Sequence, residues 1–208
     1  MSKLTYQVTN WADIEFMTHE LFLKVINDNF LPDVVVGVAR GGWIPARLLS
    51  DLFERKKKHT VLASMKVEFY AGIGKTRDRP IISQDLSYPS IQGKKILVVD
   101  DIADTGKSLE TVADFLSFKG PEIIKIATLF YKETSIIEPD YFMETTEAWI
   151  VFPHEYFEFL ELKIQEENLW DKEKGELLEY FTELGMPFET VTFYLDNLFN
   201  PVGMQAVK

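Results

Sequence analysis

The sequence predicts an α/β domain with a mostly parallel sheet flanked by helices, followed by a C-terminal helical extension. Three observations lead there. Short, wholly apolar runs such as Val34–Val38 and Ile96–Val99 lie between breakers, as buried strands of a parallel sheet do. Helix-length segments alternate with those runs, which is the α/β pattern. From Glu155 onward the texture changes to aromatic residues among acids. A length of 208 residues suits one domain of ordinary size with an appendage.

The elements follow in order. After Asn10, Ile14, Leu21, Val25 and Ile26 recur near one face of an amphipathic helix. Pro32–Asp33 breaks it, and the run Val34–Val38 is the first strand. Gly41–Gly42 closes that strand, and Ile44–Arg55 reads as a helix with Pro45 in its first turn. A strand is predicted around Val61–Phe69. Residues 71–95 are polar, rich in Gly, Lys, Arg and Pro, and without a clear period, which marks a functional loop or lid. Ile96–Asp100 is the next buried strand and Gly106–Phe118 the helix after it. Gly120–Pro121 ends that helix, Ile123–Tyr131 is a further strand, and Ala148–Phe152 a last short one. Residues 1–155 thus form the main domain. Residues 156–208 read as two or three helices carrying ten aromatic residues.

Composition narrows the function. There are 22 basic and 33 acidic residues, a net charge of −11, and a nucleic-acid binder would want the opposite sign. Residues 155–208 hold 12 acids and 4 bases, so most of the acidity belongs to the tail. Cysteine is absent, which excludes a disulfide framework, a thiolate metal site and a cysteine nucleophile. The apolar runs are strand-sized, and the N-terminus lacks the apolar core of a signal peptide, so the expectation is a cytoplasmic protein with no membrane partner.

The chemistry concentrates in KKILVVDDIADTGKSLETV, residues 94–112. A buried strand delivers Asp100 and Asp101 to the carboxyl end of a parallel sheet, where α/β ligands bind. The loop then enters a helix. Gly106 permits close backbone approach, Thr105 and Ser108 bring hydroxyls, and helix-start amides favour a phosphate. The adjacent carboxylates suit ribose hydroxyls and a hard cation such as Mg²⁺. A Walker-type P-loop is excluded, because Asp101 stands where its first glycine must be. An acidic receiver pocket fits poorly, since it would not be followed at once by a phosphate cradle.

VVDDIADTGKS, residues 98–108, resembles the signature of the type I phosphoribosyltransferases, which bind 5-phosphoribosyl-1-diphosphate (PRPP). GVARGGWIP, residues 37–45, resembles that family's pyrophosphate loop. FYKE at 130–133 and AWIVFPHE at 148–155 resemble the base-binding end of its purine branch, particularly the bacterial and archaeal xanthine-guanine and hypoxanthine enzymes. The resemblance covers residues 10 to 155.

The resemblance implies roles. Asp104, Thr105, Gly106, Lys107 and Ser108 would hold the 5′-phosphate. Asp100 and Asp101 would take the ribose hydroxyls and Mg²⁺, with Asp101 the more direct metal ligand. Arg40 and Gly41 would hold the departing pyrophosphate, Arg40 as part of the catalytic machinery. Asp104 would accept a proton from the purine. Lys132 would donate to the 6-position of the base, with Trp149 and Ile150 on either side of the ring. Tyr70–Ile82 would form a lid whose Lys75, Arg77 and Arg79 close over pyrophosphate and exclude water. Residues 130–155 would be the base-binding segment. Partners would be PRPP, a purine base, the purine nucleotide and pyrophosphate, and the family implies a homodimer or higher homo-oligomer.

Two alternatives stay open at this level. Glu133 and His154 stand where the 6-oxopurine pattern usually has proline and tryptophan, so adenine and a 6-oxopurine both remain candidates. A PRPP-sensing, non-catalytic regulator could share the fold, although no basic recognition helix is evident.

Overall fold

The computed structural model describes residues 5–57, 59–70 and 79–198. In chain order its elements are β1 (Tyr6–Val8), α1 (Trp11–Asn27), β2 (Val34–Ala39), α2 (Trp43–Lys57), β3 (Val61–Tyr70), β4 (Arg79–Gln84), β5 (Lys95–Ala103), α3 (Lys107–Ser117), β6 (Ile123–Tyr131), β7 (Tyr141–Thr145), β8 (Trp149–Val151), α4 (Tyr156–Glu166), α5 (Lys174–Glu183) and α6 (Phe188–Phe193), closed by a π-helical turn at Tyr194–Leu198. They fall into two compact units: residues 12–147, and residues 1–11 together with 148–208.

The larger unit is a six-stranded sheet in the order β4-β3-β2-β5-β6-β7. Every neighbouring pair is parallel except β3–β4. The apolar runs of β2 and β5 are central because they are buried on both faces: Val34, Val35, Val36, Ile96, Leu97, Val98 and Val99 are all at most 1% exposed. Leu109, Val112 and Leu116 of α3 pack on one face with Val36, Val98 and Ile126. The chain leaves β2 toward β3 and leaves β5 toward β6, in opposite directions along the sheet. Strand order therefore reverses between β2 and β5, and a crevice opens outside their carboxyl ends.

At the other end of that sheet, Lys125 bonds to Asp28 Oδ2 and to the Tyr141 hydroxyl, tying the end of α1 to β6 and β7. The Tyr141 hydroxyl also donates to Asp28, at 2.6 Å. Burial and the Asp28 carboxylate push the Tyr141 phenol up to about 12, and the Lys125 ammonium holds Asp28 below the usual carboxylate range.

The smaller unit pairs β1 with β8 in parallel, Tyr6 opposite Trp149 and Val8 opposite Val151. Its core joins these strands to the C-terminal helices: Val151, Tyr156, Phe159, Leu160 and Phe181 are buried, with Tyr6 and Val8 packed against them. Tyr156 donates its hydroxyl to the Thr9 carbonyl, and Phe159 meets Tyr6 edge-on at 5.3 Å. The aromatic tail residues thus supply a core, as their burial energetics favour, although Phe188 and Phe193 stay more than half exposed.

Several expectations need correction. The stretch 71–95 is not structureless throughout: Arg79–Gln84 forms β4, an antiparallel edge strand whose Pro80 costs no interior hydrogen bond. The remainder of the lid, including Lys75 and Arg77, lies outside the described residues, and of Arg79 only the backbone is described. β1 and β7 were not anticipated, being three and five residues long with weak patterns. The strand Trp149–Val151, assigned to the main domain, clusters with the helices that follow it and with the N-terminus. Among the described residues no helix is long and apolar enough to cross a membrane.

Candidate active site

Two loops meet at the strand-order reversal. The first leaves β2 through a cis Ala39–Arg40 peptide and runs through Gly41–Gly42 into α2. The second leaves β5 through Asp104–Gly106 into α3. Apolar β5 is long enough to carry Asp100 and Asp101 past the core to its carboxyl end, and Asp101 is still only 7% exposed.

The two loops pack through their glycines. A Cβ on Gly41 would lie 1.8 Å from Oδ2 of Asp101, and one on Gly42 would lie 2.7 Å from Oδ1 of Asp100 and 2.4 Å from the Val99 carbonyl. No side chain fits at either position, so the double glycine is what lets the acid pair lie against the backbone of the β2–α2 loop.

Backbone donors hold the acids. The Asp101 amide donates to Asp100 Oδ1 at 3.0 Å, and the Ile102 amide to Asp101 Oδ1 at 2.9 Å. Burial, and next the Asp101 charge, push the Asp100 carboxyl well above its ordinary range, while amides of Asp101 and Gly42 pull the other way. A divalent cation or sugar hydroxyls arriving there would relieve this crowding of negative charge.

The loop between β5 and α3 turns tightly at its end. Gly106 caps α3 with φ 76°, a left-handed conformation suited to glycine. A Cβ there would lie 2.4 Å from Ser135 Oγ and 2.9 Å from the Ile137 amide. The Ile136 amide donates to the Thr105 carbonyl at 3.1 Å and the Lys132 amide to the Ala103 carbonyl at 3.0 Å, so the β6–β7 connection braces the loop from behind. Thr105 and Asp104 are exposed and Gly106 is buried. A cavity of about 320 Å³ is lined by Asp100, Asp104, Thr105, Gly106, Lys107 and Ser108. That is large enough for a small phosphorylated ligand, and the first-turn amides of α3 lack intrahelical acceptors.

Lys132 comes to the same place. Its Nζ lies 2.9 Å from Asp104 Oδ1, and its side chain is 15% exposed. An ammonium and a carboxylate therefore sit side by side, a pairing the sequence did not reveal because 28 residues separate them. Arg40 is exposed at the head of its loop.

Trp149 and Ile150 do not flank one ring. On a strand, successive side chains leave opposite faces. Trp149 is 46% exposed and lines a small cleft with Tyr6, Phe159, Leu162 and Lys163, while Ile150 is buried. Ser135, Ile136 and Ile137 were missed, since a polar connecting loop gives no signal of what it braces.

The phosphoribosyl transferase domain family model matches residues 5–157, about three quarters of the chain. A hypoxanthine-guanine phosphoribosyltransferase of Aquifex aeolicus is 33% identical over 102 residues, 49% of this chain and 55% of its own. This chain's match thus spans little more than half of that relative. A purine phosphoribosyltransferase from Pyrococcus horikoshii has a similar structure, with TM-score 0.64 and 34% identity over 73% of this chain and 94% of that one. A xanthine-guanine-hypoxanthine phosphoribosyltransferase of Helicobacter pylori follows with TM-score 0.62 and 25% identity, covering 76% and 98%. That match, with the strand order of the larger unit, shows that the chain belongs to the phosphoribosyl transferase domain family.

Proposed function

We propose that the protein is a purine phosphoribosyltransferase that moves the 5-phosphoribosyl group of PRPP to N9 of a 6-oxopurine, releasing pyrophosphate. The observation that carries the reading is the cavity lined by Asp100 and the Asp104–Ser108 loop, beside which the Gly41–Gly42 loop packs on the acid pair. The names of the relatives above support the purine branch and disfavour a non-catalytic sensor.

The α3 amides, with Thr105 and Ser108, bind the 5′-phosphate. Asp100 and Asp101 accept hydrogen bonds from the ribose hydroxyls and offer the hard oxygen donors that Mg²⁺ prefers. Bound Mg²⁺ would neutralise charge on the leaving pyrophosphate. Arg40 and the Gly41 backbone hold that pyrophosphate as the bond from C1′ to its oxygen breaks. N9 forms the new bond to C1′, and Asp104 takes the proton that the imidazole ring must lose.

Lys132 selects the base. An ammonium donates and cannot accept, so it suits an oxo group at position 6 and opposes the amino group of adenine. O6 and N7 lie on one edge of a 6-oxopurine, matching the adjacent Lys132 donor and Asp104 acceptor. Of the two residues that the resemblance gives to the base ring, Trp149 is half-exposed and Ile150 is buried, so only Trp149 has a ring face to offer. Lys75, Arg77 and Arg79 would serve the lid, and a homo-oligomer is the proposed assembly.

The test incubates the purified protein with PRPP, Mg²⁺ and each of hypoxanthine, guanine, xanthine and adenine. Nucleotide and pyrophosphate should form with at least one oxopurine. Turnover of adenine alone overturns the base assignment, and no turnover with any purine overturns the activity.

A further inference from the structure

Thr128 lies in β6 with no exposed surface, and among the described residues its hydroxyl has no hydrogen-bond partner. A buried hydroxyl left unpaired costs stability, so its presence asks for a reason. Its partners across the sheet are Asp100 on β5 and Phe142 on β7. Two residues earlier, Val98 and Ile126 pair in the same register and both enter the cluster covered by α3. Alternation then puts Asp100 and Thr128 on that same face, in one row, on strands about 4.8 Å apart. Of the two neighbours in the row, only Asp100 carries an acceptor.

We propose that Thr128 is a positioning residue whose hydroxyl donates to the Asp100 carboxylate and sets the angle at which that carboxylate meets the ligand's sugar. One rotation about χ1 is all the hydroxyl needs to turn toward the neighbouring strand. The Asp101 and Gly42 amides hold the carboxylate from one side. A donor from β6 adds a second fixed point, and oriented ligands are how a site keeps its geometry. The inference rests on the proposed PRPP site.

The experiment compares wild type with Thr128→Val, which keeps the shape and loses the hydroxyl, and with Thr128→Ser, which keeps the hydroxyl. Ribose 5-phosphate binding is titrated without metal, and KM for PRPP and kcat are measured with Mg²⁺. Thr128→Val should weaken ribose 5-phosphate and raise KM for PRPP by roughly tenfold, the lower end for a hydrogen bond to a charged group. Thr128→Ser should return both constants to within about threefold of wild type. If wild type binds or turns over these ligands and Thr128→Val does not differ, the inference falls alone. It also falls if the loss is not rescued by serine. A wild type that neither binds ribose 5-phosphate nor uses PRPP overturns the proposed function and this inference together.

Discussion

Gly41 has no room for a β-carbon because the carboxylate of Asp101 occupies that space, with Oδ2 1.8 Å from where the carbon would be. Two loops 60 residues apart in the chain thus set each other's position. Gly41→Ala should displace the Asp101 carboxylate while leaving the sheet intact. A misplacement of about 1 Å can cost on the order of 10²-fold in rate. Steady-state kcat/KM for PRPP, beside an unchanged circular dichroism spectrum, checks this. A wild-type rate would mean the carboxylate relaxes freely or is not used.

A charged Asp100 costs stability where it lies. Its folded pKa is raised above the ordinary carboxylate value of 3.8, chiefly by burial. The stabilising contribution of such a group is complete below the unfolded pKa and is lost as pH rises through the folded pKa. At neutral pH and without metal, Asp100→Asn should therefore melt higher than wild type, and the gain should shrink as pH falls toward 4. Together with Asp101→Asn it should abolish most turnover. Melting temperatures across that range, with activity at neutral pH, are the measurement. A gain that grows in acid contradicts the assignment.

Lys132 and Asp104 pair at 2.9 Å, and the proposed function gives them different roles. Asp104→Asn keeps the shape but cannot take a proton, so turnover should fall by roughly 10²–10⁴ with a smaller effect on PRPP affinity. Lys132→Met should instead raise KM for an oxopurine and narrow the preference over adenine. Single-turnover rates and base KM values distinguish them. An unchanged chemical step in Asp104→Asn removes it from the mechanism.

Gly106 makes a stricter demand. Its φ is 76°, and a methyl group on its α-carbon would sit 2.4 Å from Ser135 Oγ, so Gly106→Ala combines backbone strain with a clash. It should destabilise by about 1–3 kcal/mol and raise KM for PRPP. Chemical denaturation and kinetics on the same preparation test both effects.

Ending the chain after Glu155 would not remove a detachable appendage. It would strip α4 to α6 from a core they share with Tyr6, Val8 and Val151. The truncated protein should expose that apolar surface, aggregate and bind a hydrophobic dye. A soluble monomer of unchanged melting temperature would show that the helices are dispensable.

The run VVDDIADTGKS carried most of what could be read locally. A parallel strand buried on both faces has a continuous apolar signature, and a glycine turn into a helix is contiguous in sequence, so both are legible without coordinates. The alternation of strands and helices carried the fold class for the same reason. Everything that depends on chain-distant packing needed the tertiary structure. The approach of Gly41 to Asp101, the brace of Ser135 behind Gly106 and the pairing of Lys132 with Asp104 join segments whose separation leaves no local mark. Short β1 is recognisable only once β8 supplies its hydrogen bonds. The opposite faces of Trp149 and Ile150 follow from strand geometry, which a motif match overlooks. The aromatic tail announced that it must be buried. Only the folded chain decided that β1 and β8 share its core, because hydrophobic burial is non-directional and names no partner.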